Sequence, residues 1–181
     1  MNRPAAHDIS AKPHDVLHAE ADNIVMSLVD PSRAQRYMEI ALEEAAEAAL
    51  RGEVPVGAIV VDGASGEILA ADGNRTEELR DATAHAEMLV LREAAKIHGG
   101  GRLLGCDLYV TLEPCAMCAA GISFARIRRL YFGAIDVKGG AVESGPRFFD
   151  QPTCHHRPES YGGIDEVRAS TMLREFFQVR R

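Results

Sequence analysis

Asp107-Leu108-Tyr109-Val110-Thr111-Leu112-Glu113-Pro114-Cys115-Ala116-Met117-Cys118 reads as a strand that runs straight into a helix. The first six residues are mostly apolar or β-branched, as a buried strand requires. Pro114 predicts the helix start, because its fixed φ and missing N–H suit a first helical turn. Cys115 and Cys118 then fall one helical turn apart, so both thiols face the same way.

Elements of the same two kinds alternate on either side of this stretch. Upstream, Met38, Leu42, Ala45 and Ala49 recur at helical spacing and predict a helix over residues 33–51, closed by Gly52 in the left-handed conformation. Residues 55–61 and 67–71 predict a hairpin about the turn Asp62-Gly63-Ala64-Ser65-Gly66. Thr83 is the expected N-cap of a helix over residues 85–97, ended by Gly99-Gly100-Gly101. Downstream, Arg129–Ala134 predicts a strand and residues 167–179 a final helix. Such alternation predicts the α/β class, as a three-layer α/β/α sandwich around a mixed sheet. Residues 1–32 show no sustained periodicity, carry Pro4, Pro13 and Pro31, and predict a flexible extension ahead of one domain over residues 33–181.

Composition agrees with one soluble domain: of 181 residues, 46% are apolar and 26% charged. No apolar run approaches the roughly 18 residues of a membrane span, and no basic stretch followed by an apolar segment marks a secretory leader. No membrane partner is expected, and the default location is cytoplasmic. Four cysteines stand at positions 106, 115, 118 and 154. The 115/118 spacing suits a metal better than a structural disulfide, leaving Cys106 and Cys154 as free thiols. The net charge of −7 is uneven: residues 1–121 carry −10 and residues 122–181 carry +3. Arg126 to Arg129, His155-His156-Arg157 and Arg180-Arg181 are either a local basic face or solvated ends of strands and helices.

Ala84-His85-Ala86-Glu87, at the start of the helix before this strand, completes a chemical set. A catalytic zinc site supplies three protein ligands of imidazole or thiolate type and leaves a fourth position open. His85, Cys115 and Cys118 make that set, with one Zn²⁺ per chain. Glu87 is not needed as a ligand and is free for proton transfer. A zinc held there would make water a nucleophile near neutral pH, which suits hydrolysis of an exocyclic amine. Structural zinc would need a fourth ligand, and Cys106, Cys154, His155 and His156 lack the spacing of a second pair.

His85-Ala86-Glu87, then 26 residues, then Pro114-Cys115-Ala116-Met117-Cys118 resembles the established mark of zinc-dependent nucleobase deaminases, for which the tRNA adenosine deaminases are a standard case. Over residues 33–181 the chain is similar to the bacterial tRNA-specific adenosine deaminases of the cytidine deaminase superfamily. The resemblance rests also on Glu53-Val54-Pro55-Val56-Gly57-Ala58, Gly73-Asn74-Arg75, Arg126-Ile127 with Phe132-Gly133-Ala134, and Phe176-Phe177 before Arg180-Arg181.

That resemblance implies a cytidine deaminase-like fold and conversion of the wobble adenosine of a tRNA anticodon, in an arginine tRNA, to inosine by a homodimer. By position, Asn74 would hydrogen-bond the purine, and Ala86, Glu113 and Pro114 would line its pocket. Asp136 and Lys138 would lie in a loop beside it, and Arg157, Phe177 and Arg180 would contact the anticodon loop. Glu143, Pro158 and Asp165 depart from the family pattern at positions that bear on RNA docking. Two other functions fit the same motifs. A free-base deaminase acting on guanine or cytosine would share fold, zinc and glutamate. A noncatalytic zinc-stabilised RNA-binding module would share the metal but has no use for Glu87.

Overall fold

The apolar face of the first helix, α1 (Pro31–Leu50), is built from Ala34, Met38, Ala41, Leu42, Ala45 and Ala48, all buried. Its small residues let the backbone lie directly on two strands. A Cβ placed on Gly57 would stand 2.1 Å from the Ala41 carbonyl oxygen, and one on Gly73 would stand 2.5 Å from that of Glu44. Glycine is demanded at both places by close approach. The computed structural model describes residues 31–180. The expected extension therefore lies outside the described residues except for its last two positions, which begin α1, and Arg181 lies outside them too.

Five strands follow in one mixed sheet: β1 (Gly57–Asp62), β2 (Ile68–Gly73), β3 (Cys106–Leu112), β4 (Arg129–Ala134) and β5 (Glu159–Tyr161). Their spatial order is β2-β1-β3-β4-β5, with β1 antiparallel to both neighbours and β3, β4 and β5 parallel. Three more α-helices lie among the described residues: α2 (Ala86–His98), α3 (Ala116–Ala125) and α4 (Glu166–Val179). One face of the sheet packs Ala58, Val60, Leu108, Val110, Leu130 and Phe132 in a core shared with α2 and α3. On the other, Met38 and Leu42 of α1 join Ala169 of α4. That is the three-layer α/β/α sandwich the alternation predicts.

The chain's four tyrosines run in a row across the second face. Tyr109 stacks on Tyr131 at 4.5 Å and Tyr131 on Tyr161 at 5.0 Å, while Tyr37 of α1 meets Tyr109 at 5.1 Å. The strand pairing places Tyr109 opposite Tyr131 and Tyr131 opposite Tyr161, so register alone creates the stack.

Two local expectations are corrected. Thr83 does not cap α2: its hydroxyl donates to Asp81, and His85 is the N-cap residue. Pro114 does not open α3, whose N-cap is Cys115. The backbone of residues 114–115 is instead held extended, with the Pro114 carbonyl accepting from Ala141 N–H and Cys115 bridging Gly140. Finally, β5 and a short 3-10 turn at Phe148–Asp150 were not legible, since three residues of a largely exposed edge strand carry no alternation.

This topology fixes where chemistry can sit. Because β1 runs against both β2 and β3, the C-terminal ends of β2 and β3 lie on the same edge of the sheet, and each leads into a helix. The starts of α2 and α3 therefore meet at one edge, the usual position for a site in an open α/β sheet. Gly57→Ala is expected to lower stability by roughly 2 kcal/mol or more through overpacking against α1. Gly101→Ala, where no atom lies within 4 Å, is expected to be neutral. Urea denaturation of the two variants checks this.

Candidate metal centre and active site

His85 and Cys115 are the N-cap residues of α2 and α3, and neither uses its side chain to cap. Both side chains instead turn toward Cys118, buried in the first turn of α3. His85 Nδ1 lies 3.5 Å from Cys118 Sγ and 3.8 Å from Cys115 Sγ, and the three ligand atoms fall within 4.8 Å of one another. Tetrahedral zinc bonded to nitrogen and sulfur at about 2.1 and 2.3 Å spaces such ligands by roughly 3.6 Å, so the set fits that ion. Among the described residues this is the one group of three such side chains close enough to hold a metal. Cys106 and Cys154 stay apart from it as free thiols.

The electrostatics prepare the ligands. A hydrogen bond from the Cys118 thiol, aided by His85, holds the Cys115 thiol down to about 4 against the opposing effect of burial. Cys118, hydrogen-bonded to Cys115 and buried, has its thiol pushed up. His85 is raised by its bond to Cys115. Glu87, the second residue of α2, is 4% exposed, and burial raises its carboxyl above the ordinary range.

With His85 turned to the metal site, the start of α2 is capped from elsewhere. The side-chain oxygen of buried Asn74 accepts from Ala86 N–H at 2.9 Å, and its nitrogen donates to the Val54 carbonyl at 3.2 Å. Asn74 thus satisfies one of the free N–H groups at a helix start and keeps a second N–H to offer. Pro114 is buried beside Cys115. Glu113 points its carboxylate at the amides of residues 136–144 and away from any ligand role.

A cleft of about 860 Å³ opens between the segment after β4 and the end of α4. Asp136, Lys138, Phe177 and Arg180 all line it, so four of the residues singled out by sequence converge. The metal ligands do not line it. The two regions are linked through Val54, whose carbonyl Asn74 holds, and Leu112, next to Glu113. Val54 and Leu112 were not anticipated as lining residues, since both read as plain core positions.

The basic runs are taken up largely inside the fold. Arg126 donates to the His155 carbonyl, Arg128 pairs bidentately with Asp107, and Arg129 pairs with Glu159. His156 donates to the Ile127 carbonyl. Arg157 donates to the Phe149 carbonyl and pairs with Asp150, outside the cleft. Arg180 stacks over Phe176 at 3.8 Å and donates to the Gly52 carbonyl at 2.8 Å. The departures also find structural places: Asp165 is the N-cap residue of α4 and pairs with Arg168, Pro158 is buried ahead of β5, and Glu143 folds toward Gly162. Cys115→Ser and Cys118→Ser are expected to lose zinc, whereas Cys106→Ser and Cys154→Ser retain one ion per chain, as elemental analysis would measure.

Residues 31–134 match the family described as the cytidine and deoxycytidylate deaminase zinc-binding region. A tRNA-specific adenosine deaminase of Agrobacterium fabrum is 60% identical over 145 residues, covering 80% of this chain and 94% of its own. One of Rickettsia bellii is 45% identical over 141 residues, covering 78% and 97%. A solved structure from studies of A-to-I editing by tRNA:A34 deaminases superposes with a TM-score of 0.74 at 60% identity, covering 76% of this chain and 99% of that one. The metal-binding trio at the sheet edge, the buried acid beside it and these likenesses agree, and the chain belongs to the zinc-dependent cytidine and deoxycytidylate deaminase family, in the branch of the tRNA-specific adenosine deaminases.

Proposed function

We propose that this protein hydrolyses the exocyclic amine of the wobble adenosine in a tRNA anticodon, in an arginine tRNA, giving inosine and ammonia. The observation that carries the chemistry is a buried carboxyl, Glu87, set beside three metal ligands and not needed among them. The substrate is supported by the 60% identity to a tRNA-specific adenosine deaminase across most of both chains. Zinc held by His85, Cys115 and Cys118 supplies a Lewis acid that makes water nucleophilic near neutral pH.

Glu87 carries the protons. It takes one from the attacking water and gives it to the ring nitrogen N1 beside C6, then takes the proton of the new C6 hydroxyl and gives it to the departing amine as the C6 carbonyl forms, so water and adenosine become inosine and ammonia. Its raised pKa, caused by burial, suits a group that must both accept and return a proton. The second N–H of Asn74 meets the purine edge, with Ala86 and Pro114 lining the same pocket; the bonds that fix the Asn74 side chain beside Ala86 support this reading. Flanking nucleotides lie along the cleft of Asp136, Lys138 and Phe177. Lys138 of this cleft has no side-chain partner among the described residues, whereas Arg180, also in the cleft, and Arg157, outside it, must exchange internal contacts to meet phosphate.

The protein works in the cytoplasm as a homodimer. Exposed Phe124, Leu104 and Ile97, at and between the ends of α2 and α3, offer apolar surface for a second copy to cover. No helix among the described residues is long and apolar enough to cross a membrane.

Glu87→Gln is expected to lower turnover of an anticodon stem-loop by about 10³-fold or more, the range that proton transfer in the transition state contributes, while zinc stays bound. Ammonia release from the stem-loop, with free adenosine, guanine and cytosine offered beside it, is the assay. Release from a free base alone would replace the tRNA reading. Lys138→Ala is expected to reduce the salt slope of stem-loop affinity by about one, with Arg157→Ala changing it less. A salt titration of binding compares them.

A further inference from the structure

Two carboxylates, Glu53 and Glu113, are buried to within 2% of full burial, yet neither has a cationic partner among the described residues. A buried charge without compensation is costly, so each must be stabilised by something else. In both cases that is a set of backbone N–H groups from a loop distant in sequence. Glu53 accepts from Glu77 N–H at 3.0 Å, Glu78 N–H at 2.9 Å and the Thr76 hydroxyl at 3.0 Å. Glu113 accepts from the N–H groups of Asp136, Val142, Glu143 and Ser144, at 2.8 to 3.1 Å, and from the Ser144 hydroxyl at 2.8 Å. A Cβ on Gly140 would stand 2.4 Å from Glu113 Oε2, so the loop closes on the carboxylate at a glycine.

We propose that Glu53 and Glu113 are a pair of positioning residues, each gathering the amides of one of the two loops that flank the metal centre and so setting the two walls of the substrate site. The loop held by Glu53 follows Asn74, and Val54, its next residue, accepts the Asn74 side chain that caps α2 beside Glu87. The loop held by Glu113 carries Asp136 and Lys138 along the cleft, and its far end pairs with Pro114 and Cys115. An apolar residue at either place would fill the space but leave the loop amides without a common acceptor. The assignment of walls to a substrate rests on the tRNA deaminase reading; the anchoring does not.

The test measures amide hydrogen exchange and kinetics on the full-length, zinc-loaded protein. Glu113→Gln is expected to speed exchange at residues 136 and 142–144 by about tenfold and leave 77–78 unchanged, and Glu53→Gln to do the reverse. With an anticodon stem-loop, Glu113→Gln raises KM about tenfold while the single-turnover rate at saturation stays within about threefold. Ser144→Ala, which removes one donor and no charge, raises KM by about twofold to threefold, and Ser144→Thr restores it. Exchange that is unchanged, or that rises equally in both loops and in the core, overturns the proposal, as does an unaltered KM in Glu113→Gln. The exchange measurement needs no substrate, so a wild-type protein inactive on RNA would refute the tRNA reading and leave the anchoring to be judged by exchange alone.

Discussion

Everything at the working edge of this protein depends on two helix starts held within a few ångströms of one another. An N-cap side chain ordinarily satisfies a free N–H of its own helix. His85 and Cys115 occupy that position in α2 and α3 and turn to each other instead, bringing Nδ1 and Sγ to 3.8 Å. The cost falls on the helix starts, and at α2 it is offset by Asn74, which reaches Ala86 N–H from across the edge. The ends of β2 and β3 can support such a meeting only because the strand between them runs the other way and leaves a gap of one strand's width.

Negative charge at this edge is used as structure as well as chemistry. Glu87, Glu53 and Glu113 are all buried, but their surroundings push them in opposite directions. Glu87 lacks a gathering of amides, and burial raises its pKa. For Glu53 and Glu113 burial pushes the same way, yet the hydrogen bonds from loop N–H groups prevail and hold both carboxyls below the ordinary range. One residue type thereby has its carboxyl pKa raised in one setting and lowered in two others, decided by the donors within reach.

The positive charge follows a similar logic. An acidic protein that handles a polyanion would be expected to present its arginines, yet Arg126, Arg128, Arg129 and Arg157 are bound to carbonyls and carboxylates of the fold. Arg128 and Arg129 tie β4 to β3 and β5 at their shared edge, where unpaired Asp107 would be costly. Lys138, which lines the cleft, is not among the arginines and histidines so engaged.

Much of this was legible in the residues themselves. His85-Ala86-Glu87 and Pro114-Cys115-Ala116-Met117-Cys118 state the metal chemistry because ligand type and spacing are local properties of one turn of chain. The buried strands β1, β3 and β4 and the helices α1 and α2 follow from apolar patterning, and α3 from Pro114 and the Cys115/Cys118 turn, with ends displaced by a residue or two. Only the tertiary structure decided that Thr83 and Pro114 yield their places as helix starts to His85 and Cys115, that Glu53 and Glu113 face inward, and that the arginine runs are paired. Several of these outcomes depend on partners between roughly 20 and 130 positions away, such as Cys115 for His85, Ser144 for Glu113 or Gly52 for Arg180. A side chain's type tells what bonds it can make; which bonds it does make is set by the neighbours that the folded sheet brings to it.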